Sequence, residues 1–116
     1  MRPLPDGMTI VTTGRNRFVI LIGAYAVKIP SLRNWRDFLF GLLNNMNEAA
    51  WSSEPGHCPV IVAGPGGLFN VMPRARPLSD GEFQEEEHRL PACRAERKAD
   101  SFGWLRGELV ALDYGW

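Results

Sequence analysis

Three charged side chains stand in apolar surroundings, where charge needs a reason. Lys28 sits within Ala26-Val27-Lys28-Ile29, Glu48 falls near the end of the apolar-periodic segment that follows, and Asp113 comes between Val110-Ala111-Leu112 and Tyr114-Gly115. A lysine buried alone is costly, and a nearby carboxylate is the ordinary remedy. A helix laid across a sheet brings Glu48 to Lys28. An aspartate released by a terminal strand, with a flexible glycine two residues later, approaches the same place.

The other groups capable of chemistry carry less. His57-Cys58, together with His88 and Cys93, raises the question of zinc, but the first pair is adjacent rather than separated by the two to four residues of recurrent sites. Buried thiols and surface histidines are the expectation. The run Glu85-Glu86-Glu87 reads as a solvated face. Trp35, Trp51 and Trp104 read as core or partner-facing anchors, and Trp116 as a contact to another molecule.

The elements that must position Lys28 are legible from residue type. Strands are predicted over 9–11, 18–22 and 25–29, rich in β-branched and aromatic residues and divided by Gly14-Arg15-Asn16-Arg17 and Gly23-Ala24. Pro30 stops the third. Trp35, Phe38, Leu39, Leu42, Leu43 and Met46 then recur at three- and four-residue steps, predicting a helix over 35–50, with Ser31 or the stretch just after it as cap. Asn44, Asn45 and Asn47 weaken its middle, leaving one helix or two. Strands at 59–63 and 68–72 flank Gly64-Pro65-Gly66-Gly67, residues 80–89 read as an acidic helix, and 104–112 as a last short hairpin. The class is α+β: an antiparallel five-stranded sheet with a packed helix, plus a C-terminal β-hairpin.

Composition bounds what such a domain does. With 116 residues there is room for one domain, and 45% hydrophobic with 22% charged residues is the balance of an ordinary globular protein. Thirteen basic side chains match thirteen acidic ones, so net charge gives no expectation of nucleic-acid or membrane binding. The longest apolar run, 18–22, is far too short to span a bilayer, and the first residues lack the apolar stretch of a signal peptide. A cytoplasmic location is expected.

The charged trio also carries a resemblance. Ala26-Val27-Lys28-Ile29 is similar to the strand of protein kinases whose lysine holds nucleotide phosphates and pairs with a helix glutamate, here Glu48. Residues 68–72, with Met72 leading into Pro73-Arg74-Ala75, resemble the fifth strand and the hinge bordering an adenine pocket. Asp100-Ser101-Phe102-Gly103 and the later Asp113-Tyr114-Gly115 are similar to the end of the catalytic loop and the metal-binding Asp-Phe-Gly motif. The resemblance spans about residues 9–115 and extends to small bacteriophage kinase-like proteins of pseudokinase type. It implies a small-lobe-like part over 8–75 and a vestigial large-lobe remnant over 76–116. It also implies ATP and Mg²⁺ as cofactor candidates, with Lys28, Glu48, Met72 and Ala75 around the nucleotide and Asp113 and Ser101 at the metal.

Departures from the kinase pattern shape the functional expectation. The first turn keeps one glycine, Gly14, where the kinase phosphate loop has three. Ser101 stands where the second metal-binding asparagine belongs, and Glu96 where the catalytic aspartate belongs. Only about twenty residues separate Pro73 from Arg94, too few for the long helices of a large lobe. The expectation is a non-catalytic kinase-like module that binds a host or phage protein, as an accessory or anti-defence factor. The alternatives are a nucleotide-binding protein without turnover and a minimal ATP/Mg²⁺-dependent phosphotransferase using Lys28, Glu48, Asp113 and Glu96.

Overall fold

Lys28 lies on an interior strand of the main sheet, and the strands around it form for local reasons. The computed structural model describes residues 2–3, 8–11, 16–91 and 95–115. Strands β1 (Arg2–Pro3), β2 (Met8–Val11), β3 (Arg17–Ile22) and β4 (Tyr25–Pro30) run as an antiparallel meander. Gly23-Ala24 makes the two-residue loop between β3 and β4, and the positive φ of Gly23 (54°) suits the primed turns that match sheet twist. After helix α1 (Trp35–Trp51) come β5 (Val62–Ala63) and β6 (Asn70–Pro73), giving the order β1-β2-β3-β4-β6-β5.

The expected five-stranded antiparallel sheet and its packed helix are therefore present, with β1 added at one edge. Two boundaries differ from expectation. The strand predicted over 59–63 is only Val62–Ala63, because Pro59 supplies no ladder N–H and Ile61 already answers Val71 by a lone backbone bond of 2.7 Å. The segment 68–72 starts later, at Asn70, because the turn of Pro65–Gly67 runs on through Leu68.

A second sheet, of three strands, holds β7 (Arg76–Pro77), β8 (Phe102–Leu105) and β9 (Glu108–Ala111), the last two being the expected C-terminal hairpin. Helix α2 (Asp80–Glu86) carries a capping box, Ser79 with Glu82, and passes into a 3₁₀ turn at Glu87–Arg89. The main apolar core belongs to this half: Leu78, Leu90, Phe102, Val110 and Tyr114 pack with Cys58 and Met72. Backbone bonds from Cys58 N to Ala111 O (2.8 Å) and from Ala111 N to Gly56 O (2.7 Å) tie the chain after α1 to β9.

Helix α1 is one continuous element, capped by Asn34, whose side chain accepts from Asp37 N at 2.9 Å; Ser31 is not the cap. Its orientation reverses the expectation. The buried positions are Gly41, Asn45 and Glu48, spaced to share one face, while Trp35 (76% exposed), Leu39 (56%) and Met46 (45%) turn outward. The apolar stripe exists, but most of it turns outward, with Phe38 and Leu42 half-buried. Among the described residues, no helix is long and apolar enough to cross a membrane.

Candidate functional site

The pleat of the main sheet decides which side chains meet. Alternation puts Arg17, Val19 and Leu21 of β3 on one face, and the register Val19↔Lys28 and Leu21↔Ala26 brings Lys28 and Ala26 of β4 to that same face. Met72 stands opposite Ala26 on β6. This face looks onto the second sheet across a cleft of about 940 Å³. Val19, Leu21, Ala26, Met72 and Leu112 supply its apolar wall, and Arg17, Lys28 and Asp113 its charged end.

Lys28 and Glu48 form the expected pair, Nζ to Oε1 at 2.8 Å. Glu48 is fully buried and every lone-pair direction is used. Arg17 donates to its Oε1 at 3.0 Å and to its Oε2 at 3.2 Å, and the backbone N–H of Tyr114 reaches Oε2 at 3.1 Å. Burial alone would raise this carboxyl, but the charges of Lys28 and Arg17 and their hydrogen bonds override it and hold the pKa at about 2. Lys28 also donates to the Leu112 carbonyl, and burial, only partly offset by Glu48, keeps its ammonium below the usual lysine value.

Arg17 ties the trio together. Its Nη2 meets Asp113 Oδ1 at 2.5 Å while its Nη1 also donates to Asn45 Oδ1 at 3.0 Å. Burial opposes the charge on Arg17; Glu48 and Asp113 more than offset it, so its pKa stands above the ordinary value. Asn45 in turn donates to the Lys28 carbonyl (3.1 Å) and the Gly67 carbonyl (2.9 Å), and Asn70 donates to the Asn45 carbonyl (2.9 Å). The result is a buried polar network linking β3, β4, α1, β6 and the segment after β9, in which the Asn70 Oδ1 is left without a partner among the described residues.

The Asp113-Tyr114-Gly115 segment is fastened to α1. Asn47 donates to the Gly115 carbonyl at 3.2 Å, and a Cβ at position 115 would collide with the Asn44 carbonyl oxygen, so glycine is required by close approach. Tyr114 is fully buried, its ring 4.3 Å from that of His57, and it donates to the Cys58 carbonyl. Burial pushes the Cys58 thiol up to about 11.

The remaining sequence candidates divide. Ala75 and Glu96 line the cleft with Met72, but Glu96 is exposed and leans on Lys98 at 3.4 Å. Ser101 is buried and is not among the cleft-lining residues; its hydroxyl has no hydrogen-bond partner among the described residues. Gly14, Cys93, Arg94 and Trp116 lie outside the described residues. Asp113 lines the cleft with Oδ1 held by Arg17, whereas Ser101 is set in the core, so the two are not arranged to share a divalent cation. Among the described residues no group of three or more His, Cys, Asp or Glu is disposed to hold a metal, which includes His57 and Cys58.

Arg17 and Asn45 were not among the sequence candidates, although a signal for each was there. Arg17 is two residues before Val19 and so shares the face of Lys28, and Gly41, Asn45 and Glu48 recur at helical spacing. Compared with protein-family models, curated proteins and solved structures, the chain finds no match.

Proposed function

We propose that this chain is a kinase-like binding module that holds a nucleotide-type ligand without transferring its phosphate. The observation that carries this reading is the cleft: about 940 Å³, apolar along Val19, Ala26, Met72 and Leu112, and charged at the end where Lys28 lies. That size and division suit a ligand with a flat apolar base and an anionic tail. The absence of turnover is supported by chemistry at the charged end. Asp113 is engaged by Arg17, and Glu96, the residue in the place of a catalytic base, is exposed and paired with Lys98. The test combines calorimetric titration of ATP, ADP and GTP with incubation in γ-labelled ATP. Saturable heat without label on the protein or a generic substrate is expected. Label that disappears in Lys28→Ala and Asp113→Asn would replace the binder with a phosphotransferase.

A second reading, binding of a host or phage protein, is favoured by the outer face of α1. Trp35, Leu39, Leu43 and Met46 are exposed and recur on one side of the helix, with Leu32 beside them. Here the expected result is a single host protein retained by the wild type and lost from a Leu39→Glu/Met46→Glu variant. Equal retention by both would remove this face from consideration.

A further inference from the structure

We propose that the cleft takes its nucleotide-type ligand as a metal-free anion, with Arg17 holding the place between Asp113 and Glu48 that a divalent cation would need. This deepens the nucleotide reading above and rests on it. The argument is one of occupied donors and acceptors. Both Nη groups of Arg17 are committed, Nη1 to Asn45 and Glu48 at 3.0 Å each, Nη2 to Glu48 at 3.2 Å and Asp113 at 2.5 Å. A guanidinium stays charged at every accessible pH, so the cation here is permanent and covalently attached. For a metal to sit between Asp113 Oδ1 and Glu48 it would have to displace Arg17, leaving that side chain, only 10% exposed, beside a second positive charge.

The balance of charge around the cleft points the same way. Lys28, Lys98, Arg74, Arg76, Arg106 and Arg17 line it, six cations, against Glu96, Asp100 and Asp113 in the lining and Glu48 and Glu82, which pair with lining cations from outside it. An anionic ligand therefore meets a small excess of positive charge, six cations against five carboxylates, without bringing a counterion. Lys28 has three ammonium donors, of which Glu48 and the Leu112 carbonyl take two. The third is available to a phosphate oxygen. Lys98 is half-exposed between Glu96 (3.4 Å) and Asp100 (3.8 Å), pairs loose enough to exchange for phosphate. Kinase-type sites, by contrast, bring the phosphates in on metal ions that neutralise them.

The experiment is calorimetric titration of the full chain with ATP, once in EDTA and once in excess Mg²⁺. The affinity in EDTA is expected to equal or exceed that in Mg²⁺, because chelation lowers the charge that the cleft recognises. Affinity at least tenfold tighter with Mg²⁺ overturns the inference while leaving the nucleotide reading intact. No binding in either buffer overturns both. A second measurement follows Mn²⁺-induced broadening of the Asp113 and Tyr114 amide signals with ATP present. The wild type should show none beyond the effect of free Mn²⁺, whereas selective broadening would place a metal at Asp113 and overturn the inference. In Arg17→Met the freed carboxylates should make ATP affinity at least tenfold Mg²⁺-dependent, and affinity unaffected by Mg²⁺ in a folded variant counts against the role of Arg17. Should that variant not fold, the two wild-type measurements decide.

Discussion

The two faces of α1 are built on opposite principles. The face toward the sheet carries Gly41, Asn45 and Glu48, and the face toward solvent carries Trp35, Leu39, Leu43 and Met46. An ordinary surface helix buries its apolar stripe and solvates its charges. Here Asn45 and Glu48 of the buried face are held by ion pairs and hydrogen bonds, and the outer face is left about half exposed. The energetic consequence is asymmetry: the inner positions are expensive to disturb, and the outer ones are free to serve another molecule.

The sharpest way to break the comparison is at its buried centre. Glu48→Ala leaves Lys28 and Arg17 as adjacent buried cations, and breaking such a pair costs about 3–5 kcal/mol. Urea unfolding should show that loss in the midpoint; a change under about 1 kcal/mol would mean that the buried network is not what holds α1.

Acid gives a graded version of the same test. Glu48 has a folded pKa of about 2 against an ordinary 4.5, so the unfolded chain takes up its proton first as pH falls. The stability due to this depressed carboxyl is complete above about pH 5 and is lost progressively as pH approaches 2. Glu48→Gln should flatten that limb in a series of thermal melts. An unchanged acid slope in the variant would assign the limb to other carboxylates.

The smallest expected effect is on the outer face. Leu39→Gln and Met46→Gln remove exposed apolar surface without touching the network, so each should shift stability by no more than about 0.5 kcal/mol. A loss of 2 kcal/mol or more at either would show that this stripe packs in the folded protein and would collapse the contrast between the two faces.

What was legible in the sequence follows from the kind of signal each element leaves. The meander was readable because β-branched runs and the Gly23-Ala24 turn specify strands locally, and the Lys28–Glu48 contact because a buried charge asks for a partner. The direction of α1 was not. A period of 3.6 establishes that a helix has two faces, and says nothing of which one the sheet takes when a buried polar network competes for it. Asn45 looked like a helix-weakening residue because its value lies in the carbonyls of Lys28 and Gly67, which no local reading brings near. Arg17 ends a run of turn-type residues, yet it opens β3 with its side chain on the cleft face. The cleft itself was implied by the resemblance, and its volume depends on how two sheets separate, which residue patterns do not encode.

The contact between Arg17 and Asp113 joins positions 96 apart in the chain, while Lys28 and Glu48 are 20 apart and Arg17 and Glu48 are 31 apart. Closing the longest of these loops first would cost about 4 kcal/mol in the length-dependent part of the entropy, roughly 1 kcal/mol more than the 31-residue closure. On loop entropy alone the ion cluster is expected to assemble in order of sequence separation, the lysine pair early and the aspartate late. Its last clasp can shut only when nearly all of the described chain is in place, which makes it a brake on unfolding rather than a nucleus for folding.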